Sequence, residues 1–400
     1  MFWGTRACLR KAGFWPYARR RILIVALILG VAFSTVTLRG RQRGPKPAGA
    51  TGNGSIFVSI GAYRDNECAS TLLDLYRQAR RPENVFSGVV TYTFDEDGNG
   101  TGGVANTNKT GGGVSSSNYT LASERCESAE LAPFERNIRR LSFGVSSAKG
   151  PSLSRYQAAT MYGGEQYLLQ IDSHMRFAPG WDVELLRMIR EAPSPNAVLT
   201  HYPPSWDDMS ERRAPAMCLA RWVEEAAGQR VLMLEAALMD PPPRGQPLRP
   251  VPFAAAGFMF APARVLEDVP FDPSLDYLFH GEEALYSARL WTHGWDMFTP
   301  DCNVAFHHYN RDGAPKFWND FDANPSYHTR KAAVLRKVEA LMLSEYGTGG
   351  FKYGMGRQRT VRQWWQYAGL DPSNRSQVMD MRRFCWVQNA GRHHHHRHHW

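Results

Sequence analysis

The sequence predicts an α/β fold that follows a membrane-spanning helix. Residues 22–38 form a run of 17 residues without a charge, which is just long enough to cross a hydrocarbon core. Residues 56–60 and 85–94 are predicted strands that flank an amphipathic helix. This order of strand, helix and strand indicates a parallel sheet covered by helices.

The net charge of +9 belongs to the first 50 residues rather than to the predicted folded body. These residues carry ten Lys or Arg and no Asp or Glu, so the other 350 residues hold 37 basic against 38 acidic residues. A neutral body lacks the basic surface that binds phosphate backbones. The sequence therefore predicts no nucleic-acid partner.

The charges around the apolar run predict its orientation. Six basic residues precede residues 22–38 and four follow them, which favours a cytoplasmic N-terminus. We expect residues 1–21 to form a cytoplasmic tail and residues 22–38 to form an uncleaved signal-anchor. A cleaved signal peptide is the alternative, with Ala32 and Ser34 as small residues near the cleavage point.

The predicted location of the body is the lumen of the secretory pathway. A short span suits the thin membranes of the early pathway, so we expect a single-pass type II protein of the Golgi or ER membrane. Five Asn-X-Ser/Thr sequons agree with a lumenal body. They are Asn53, Asn99, Asn108, Asn118 and Asn374.

Composition divides the rest of the chain. Residues 39–54 are basic and rich in Gly and Pro, which indicates a stem. Residues 55–345 form the predicted folded domain. Within it, residues 95–120 are dense in Gly, Asn, Ser and Thr, which predicts a flexible surface insertion. Residues 346–400 are a C-terminal extension that ends in a histidine-rich tail.

Periodicity predicts the elements of this domain in order. The helix between the first two strands carries Ala69, Leu72, Leu73 and Tyr76 on one face. The further expected elements are helices near 155–162, 181–189 and 281–291, strands at 167–171, 197–200, 253–260 and 304–309, and a helical stretch from about residue 326.

The clearest chemical signal is the sequence Asp172-Ser173-His174 at the carboxyl end of a predicted strand. In open α/β sheets, ligands bind beyond the carboxyl ends of the strands. Residues i and i+2 of an extended segment point the same way, so Asp172 and His174 can face one site. A carboxylate with an imidazole suits Mn²⁺ or a similar divalent ion. A turn or capping role for the acid is the ordinary alternative.

His307 and His308 are the second candidate for metal binding. Adjacent residues on a strand point to opposite faces, so only one of the two imidazoles could join Asp172 and His174. A buried histidine that is simply hydrogen-bonded is the alternative.

Two further groups of charged residues lie near predicted element ends. Glu282 and Glu283 open a helix, where acids ordinarily complement the helix dipole. Arg64 follows the first strand and Arg155 precedes the strand that ends at Asp172. Either arginine could pair with a phosphate, and a surface position is the alternative.

Several common catalytic motifs are absent from the sequence. It contains no Walker-type loop, no GxGxxG after a strand, no HExxH and no GxSxG. These absences argue against P-loop hydrolases, dinucleotide oxidoreductases, zinc proteases of the HExxH type and serine esterases.

Taken in order, four segments resemble the polypeptide α-N-acetylglucosaminyltransferase family. That family includes cytosolic enzymes that modify hydroxyproline and Golgi enzymes that start mucin-type O-glycans. The segments are VSIGAYRDNEC (58–68), SRYQAATMYGGEQYLLQIDSHMRF (154–177), AAAGFMFAPARVL (254–266) and LFHGEEALYSARLWTHGWDMFTPDCNVAFHHYN (278–310). The mucin-type polypeptide GalNAc-transferases are a more distant resemblance. Both imply a GT-A-type nucleotide-diphospho-sugar transferase fold, a Rossmann-like mixed sheet flanked by helices, with residues 55–345 as the catalytic domain.

The resemblance implies roles for residues on the metal and nucleotide side. Asp172, His174 and His307 match the ligands of the ion that bridges the diphosphate, with His308 as the fallback. The uridine and diphosphate would be held by Ser59, Tyr63, Arg64 and Arg155.

On the sugar and acceptor side, the resemblance implies roles for Gly257, Glu282 and Glu283. The chain carries Gly281-Glu282-Glu283 where the distant relatives carry GEN, so this turn leaves the identity of the sugar open. We expect Glu282 and Glu283 to contact sugar hydroxyls rather than to act as nucleophiles.

The resemblance implies a metal-dependent enzyme that moves GlcNAc from UDP-GlcNAc to a Ser, Thr or hydroxyproline hydroxyl of a protein, with retention of configuration. The expected cofactor is Mn²⁺, or alternatively Mg²⁺, and the expected partners are a nucleotide sugar, a polypeptide acceptor and the membrane. The alternatives are another UDP-sugar such as UDP-GalNAc or UDP-galactose, a catalytically inactive glycan-binding protein, and a metal-binding protein that uses the histidine-rich tail.

Overall fold

The computed structural model describes residues 54–94, 124–225, 228–344, 352–375 and 383–385. The predicted cytoplasmic tail, signal-anchor, flexible insertion and histidine-rich tail lie outside these residues, as does the stem except for Gly54. Among the helices of the described ranges, none combines the length and the apolar character that crossing a bilayer requires.

Twelve strands are described, and eight of them form one mixed sheet in the order β3-β2-β1-β4-β10-β6-β11-β9. The strands are β1 Ile56–Tyr63, β2 Val85–Thr93, β3 Ile138–Gly144, β4 Tyr167–Asp172, β5 Met175–Phe177, β6 Ala197–Thr200, β7 Ala214–Glu224, β8 Arg230–Met239, β9 Pro250–Val251, β10 Phe258–Pro262, β11 Asp296–Phe298 and β12 Ala305–His307. The pairs β5–β12 and β7–β8 form two small separate sheets.

Eight α-helices are described around these sheets. They are α1 Cys68–Gln78, α2 Pro151–Ala159, α3 Trp181–Glu191, α4 Val265–Asp268, α5 Glu282–Thr292, α6 Phe317–Phe321, α7 Pro325–Leu343 and α8 Val361–Ala368. Short 3-10 helices at Pro82–Asn84, Ala129–Asn137, Val145–Ser147 and Trp206–Asp208 link some of the elements.

The centre of the large sheet has the predicted parallel order. β1 pairs in parallel with β2 and with β4, whereas β10 runs antiparallel between β4 and β6. The large sheet is therefore mixed, and the fold belongs to the α/β class. Because β4 lies beside β1 in parallel, the carboxyl ends of both strands open at the same edge of the sheet.

Both faces of the central strands are buried, which explains their continuous apolar sequence. In β1, Phe57 packs into one hydrophobic core, whereas Ile56, Val58 and Ile60 pack into the core on the opposite face. Alternation along the strand thus divides the apolar side chains between two layers of helices.

Two of the predicted strands have a bound that differs from the structure by three residues or more. β1 continues past Gly61 to Tyr63, and the expected strand at 253–260 begins only at Phe258. The stretch before Phe258 is irregular because its backbone bonds to side chains instead of to a strand. The amide of Ala255 donates to Thr200 Oγ1 at 2.7 Å, and the amide of Ala256 donates to Glu283 Oε1 at 2.7 Å.

The β7–β8 hairpin was not predicted, and it forms one wall near the carboxyl edge of the sheet. Its strand β7 is joined to the C-terminal residues by the Cys218–Cys385 disulfide, and a second disulfide links Cys68 to Cys126. Trp364 of α8 is fully buried and packs edge-on against Phe253. The described C-terminal residues therefore belong to the main core.

We predict that Gly88→Ala destabilises the fold by about 1–3 kcal/mol, the usual cost of overpacking a core. A Cβ at Gly88 would lie 2.5 Å from Cζ of Phe57 and 3.2 Å from the carbonyl oxygen of Ala158. Urea unfolding would measure the loss, with the exposed Glu83→Ala as a control. A Gly88→Ala protein as stable as the control would contradict the packing described.

Candidate active site

The site is built on the turn that follows β4. Asp172 is the last residue of that strand, and His174 precedes β5 by one residue. Thr71 of α1 fixes the turn between them: its hydroxyl donates to the carbonyl of Ser173 at 2.8 Å and accepts from the amide of Met175 at 2.9 Å. The helix predicted between the first two strands therefore holds the turn in position.

His307 reaches this turn through strand pairing. β12 runs antiparallel to β5 with His307 opposite Met175, and the amide of His308 donates to the carbonyl of His174 at 3.0 Å. The rings of His174 and His307 lie 4.6 Å apart. One possible ligand atom from each of Asp172, His174 and His307 lies within 4.8 Å of the other two, so the predicted convergence of these three residues is confirmed.

His308 faces away from this cluster. Its ring stacks on Trp206 at 3.7 Å between centroids, and Trp206 in turn lies under the guanidinium of Arg176 at 4.4 Å. The alternation of a strand thus separates the two histidines, and the imidazole that joins Asp172 and His174 is that of His307.

Charge and burial hold Asp172 and His307 in the forms that bind metals. Burial opposes ionisation of Asp172, but His307, His174 and Arg155 outweigh it and hold the pKa of the carboxyl well below its usual range. Burial first, and then the neighbouring His174, lower the pKa of His307 to about 4. At neutral pH the cluster therefore offers a carboxylate and a neutral imidazole.

Gly257 makes room for the carboxylate of Asp172. A Cβ built on Gly257 would lie 2.7 Å from Oδ2 of Asp172, closer than any side chain tolerates. Gly257, one of the residues predicted for the site, therefore lies beside Asp172 at a position where only a residue without a side chain fits.

Asp65 and Arg311 surround His174, and sequence reasoning missed both roles. Oδ2 of Asp65 lies 2.7 Å from Nδ1 of His174 and 3.1 Å from a guanidinium nitrogen of Arg311. Because a carboxylate only accepts, Nδ1 donates, and the lone pair of His174 lies on Nε2. Arg311 Nη1 lies 3.3 Å from that Nε2.

Burial would raise the pKa of Asp65, but His174, Arg311 and Ser173 together lower it far below its usual range. A carboxylate that fixes the tautomer and orientation of a ligand histidine is the usual outer partner in metal sites. The signal available in the sequence was an acid two residues after the carboxyl end of β1, the edge where ligands bind in open α/β sheets.

The residues predicted to hold the nucleotide are only partly brought together. The hydroxyl of Tyr63 donates to Asp320 Oδ2 at 2.6 Å, and Arg64 pairs with the same oxygen at 3.0 Å. Ser59 is fully buried inside β1, and its hydroxyl has no hydrogen-bond partner among the described residues. Tyr63 lines the site and Ser59 does not.

Glu282, at the start of α5, is paired with a buried cation. Its Oε1 accepts from Arg155 at 2.8 Å, and its Oε2 lies 3.3 Å from the Ser152 hydroxyl. Burial raises the pKa of Glu282 against the opposing effect of Arg155. The guanidinium of Arg155 also lowers the pKa of Asp172, so it connects the acid pair electrostatically with the proposed metal ligands.

In the described part of the chain, Glu283 accepts its hydrogen bonds from neutral groups. Its Oε1 accepts the amide of Ala256, and its Oε2 accepts the hydroxyl of Tyr202 at 2.5 Å. Burial raises the pKa of Glu283 to about 7, with Glu282 adding to the rise. The two adjacent acids therefore differ in their surroundings: Glu282 is paired with a guanidinium, and Glu283 is hydrogen-bonded to a phenol.

Two clefts meet at the cluster. The larger spans about 1050 Å³ including its opening to solvent, and Tyr63, Tyr92, Phe317 and Trp318 lie along it. The smaller spans about 630 Å³, again with its opening, beside the acid pair and the β8 strand. The residues that line both clefts are Arg155, Asp172, Phe279, His307 and Tyr309.

The three side chains fit a divalent cation. Hard divalent cations lie about 2.0–2.6 Å from their oxygen ligands, so ligand atoms within 4.8 Å of one another can share one ion. One carboxylate and two imidazoles suit Mn²⁺ and similar ions.

Comparison with known proteins agrees with these features. The family described as Glycosyltransferase (GlcNAc) matches residues 55–374. No protein of curated function matches the sequence significantly.

Three solved structures are similar to this one at low sequence identity. GalNAc-T7 with UDP, GalNAc and Mn²⁺ has 13% identity and a TM-score of 0.43, and the match covers 72% of this chain and 51% of that one. The chain thus spans about half the length of GalNAc-T7. Residues 1–349 of S. aureus TarS match with 12% identity and a TM-score of 0.37, and the match covers 73% of both chains. The complex of the same TarS residues with UDP-GlcNAc matches with the same identity and TM-score and covers 79% of both chains.

We predict that His307→Ala weakens Mn²⁺ binding by at least about 10- to 100-fold, the loss seen even for outer partners of metal ligands. His308→Ala should keep the affinity, because its ring stacks on Trp206 outside the cluster. Calorimetric titration of Mn²⁺ into both variants gives the comparison. Equal losses in the two variants would contradict the ligand set.

We predict that Glu283→Gln stabilises the protein at pH 8 and changes it little at pH 5. The raised pKa means that the folded state favours the protonated acid. The contribution of this acid to stability is complete below its unfolded pKa near 4.5 and is lost as the pH rises through about 7. The difference in free energy of unfolding between variant and wild type should therefore grow from pH 5 to pH 8, to at most about 3 kcal/mol. Thermal unfolding at both pH values measures it, and a difference independent of pH would contradict the burial of a near-neutral acid.

Proposed function

The chain belongs to the GlcNAc glycosyltransferase family, and from this membership we propose that it transfers GlcNAc from UDP-GlcNAc to a Ser, Thr or hydroxyproline hydroxyl of a polypeptide. The protein is a glycosyltransferase, and the donor and the acceptor are the proposal. The observation that carries it is the convergence of Asp172, His174 and His307 where two clefts meet. We assign the larger cleft to the nucleotide and the smaller one to the sugar and the acceptor.

We propose that Asp172, His174 and His307 hold a divalent metal ion, Mn²⁺ or Mg²⁺. When bound, this ion supplies Lewis-acid neutralisation of the diphosphate leaving group. Asp65 keeps the lone pair of His174 on Nε2, and Arg311 has to move aside from that atom for a cation to be bound there.

Arg155 supplies fixed positive charge between the two clefts. Burial lowers its pKa, but Glu282 and Asp172 outweigh this and raise the pKa above its usual value. A permanently charged guanidinium in a buried site stabilises negative charge that develops on a departing diphosphate. The aromatic side chains of the larger cleft, such as Tyr63 and Trp318, offer faces on which a base can stack.

We assign Glu282 and Glu283 to sugar hydroxyls rather than to nucleophilic attack. Glu282 is held by Arg155, and Glu283 with its raised pKa is partly protonated at neutral pH. Neither is the exposed, ionised carboxylate that a two-step route through a glycosyl-enzyme needs. Retention is then expected by front-face attack, in which the proton of the acceptor hydroxyl passes to the departing phosphate oxygen.

We extend the proposal to the fold family and the location. A GT-A-type fold of the polypeptide α-N-acetylglucosaminyltransferase kind agrees with the mixed sheet and with the Asp172-Ser173-His174 turn at its carboxyl edge. A type II protein of the Golgi or ER membrane with a lumenal catalytic domain remains a proposal from the N-terminal sequence. Microscopy of the full chain, with protease protection of the lumenal part, tests it.

Another UDP-sugar is the second candidate donor, because the turn Gly281-Glu282-Glu283 leaves the identity of the sugar open. Hydrolysis of UDP-GlcNAc, UDP-GalNAc and UDP-galactose in parallel separates them. A catalytically inactive glycan-binding protein would hydrolyse none of the three in the presence of Mn²⁺.

We predict that Asp172→Asn in residues 55–400 lowers transfer and hydrolysis of UDP-GlcNAc by at least about 100-fold, because the variant loses the charge that fixes the cation. Released UDP measures both reactions. Asp301→Asn, which alters an acid paired with Arg187 at 2.6 Å away from the clefts, is the matched control. Normal turnover by Asp172→Asn would contradict the assignment of the site.

A further inference from the structure

His280 lies at the mouth of the smaller cleft, immediately before the turn that carries the acid pair. Its side chain is 33% exposed, whereas that of Glu282 is only 7% exposed. Both residues line the same cleft, together with Tyr202, Gly257 and Glu283. His280 therefore borders the opening of the cleft, while the acid pair borders its floor.

The ring of His280 is oriented by Glu225. Oε1 of Glu225 makes a hydrogen bond with Nδ1 of His280. Since an ionised carboxylate can only accept, Nδ1 must donate the hydrogen. The other ring nitrogen, Nε2, then carries a lone pair and is a hydrogen-bond acceptor.

Lys331 forms an ion pair with the same carboxylate of Glu225. Its ammonium lies 2.7 Å from Oε2 of Glu225. Burial opposes the ionisation of Glu225, but His280 and Lys331 outweigh it and lower the pKa of Glu225 to about 2. Lys331 and His280 thus both bind the carboxylate of Glu225, which stays ionised and accepts the hydrogen of Nδ1.

Three elements fix the position of His280. Glu225 follows strand β7 in the turn of the β7–β8 hairpin, Lys331 lies in α7, and His280 itself precedes α5. Groups anchored on separate elements hold a side chain more rigidly than a loop alone would. The arrangement holds a hydrogen-bond acceptor in place at the rim of a substrate cleft.

We propose that His280 accepts a hydrogen bond from a backbone amide of the acceptor polypeptide and so orients its hydroxyl toward the sugar, which leaves the hydroxyl proton to pass to the departing phosphate oxygen. This inference rests on the proposed function, and it adds an acceptor-orienting residue to that function. The donor sugar has its own polar partners deeper in the cleft, namely Glu282, Glu283 and Tyr202. The entering polypeptide meets the rim first, where the side chain of His280 is one-third exposed.

Separate measurement of transfer and hydrolysis tests the proposal. Residues 55–400 are incubated with UDP-GlcNAc and Mn²⁺, with and without a panel of Ser-, Thr- and hydroxyproline-containing peptides. We expect His280→Ala to lower kcat/KM for peptide transfer about five- to tenfold, the effect of one lost hydrogen bond. Hydrolysis without peptide should stay within about twofold, because water needs no such orientation.

Two further variants distinguish a hydrogen bond from a structural effect. His280→Gln places an amide oxygen near the position of Nε2 and should recover part of the lost transfer, whereas His280→Asn is too short and should not. His328→Ala is the matched control. That histidine is half exposed, and its ring is hydrogen-bonded to the carbonyl of Asp322 away from the clefts.

The outcomes separate this inference from the proposed function. Unchanged transfer by His280→Ala, or equal loss of transfer and hydrolysis, would overturn the role of His280 and leave the donor assignment intact. Hydrolysis by the unaltered chain without transfer to any peptide would instead overturn the polypeptide acceptor, and with it the inference. Selective loss of transfer, restored in part by His280→Gln, supports both.

Discussion

The antiparallel pairing of β12 with β5 is the constraint on which the site depends. Asp172 and His174 are close because they flank one turn, whereas His307 comes from the other end of the domain sequence and is aligned by backbone hydrogen bonds. A shift of one residue in this register would turn His308 inward instead. The position of a short strand pair thus decides which imidazole joins the acid, and therefore whether a cation can be held where the two clefts meet.

The sequence predicted the parts of the fold and of the site that are local. The strands around β1, the turn at Asp172 and the acid pair that opens α5 follow from periodicity and residue type. The β7–β8 hairpin, the irregular backbone before Phe258 and the partners of His174 could not be predicted from these signals. Asp65 and Arg311 act through contacts between distant segments, and no periodicity reports such contacts. The family resemblance, rather than any pattern, chose His307 over His308, and strand geometry supplies the physical reason.

The pKa values of two buried acids in this site are shifted in opposite directions, and the neighbours of each acid explain the difference. Burial raises the pKa of both acids. His307, His174 and Arg155 outweigh burial at Asp172 and keep it ionised, whereas Glu283, hydrogen-bonded to an amide and a phenol, has a pKa raised to about 7. Environments that separate the pKa values of nearby acids are typical of active sites. In this glycosyltransferase, the separation agrees with a charged centre for the diphosphate and a nearly neutral pocket for the sugar hydroxyls.

The most direct test of the account is the location of the metal in crystals of residues 55–400 grown with UDP and Mn²⁺. Anomalous scattering of manganese would identify the ion independently of the protein coordinates. We predict one peak in coordination contact with Asp172, His174 and His307 and with a phosphate oxygen of UDP, and displacement of Arg311 from His174. A manganese peak elsewhere, or UDP bound in the larger cleft with no metal at these three side chains, would contradict it.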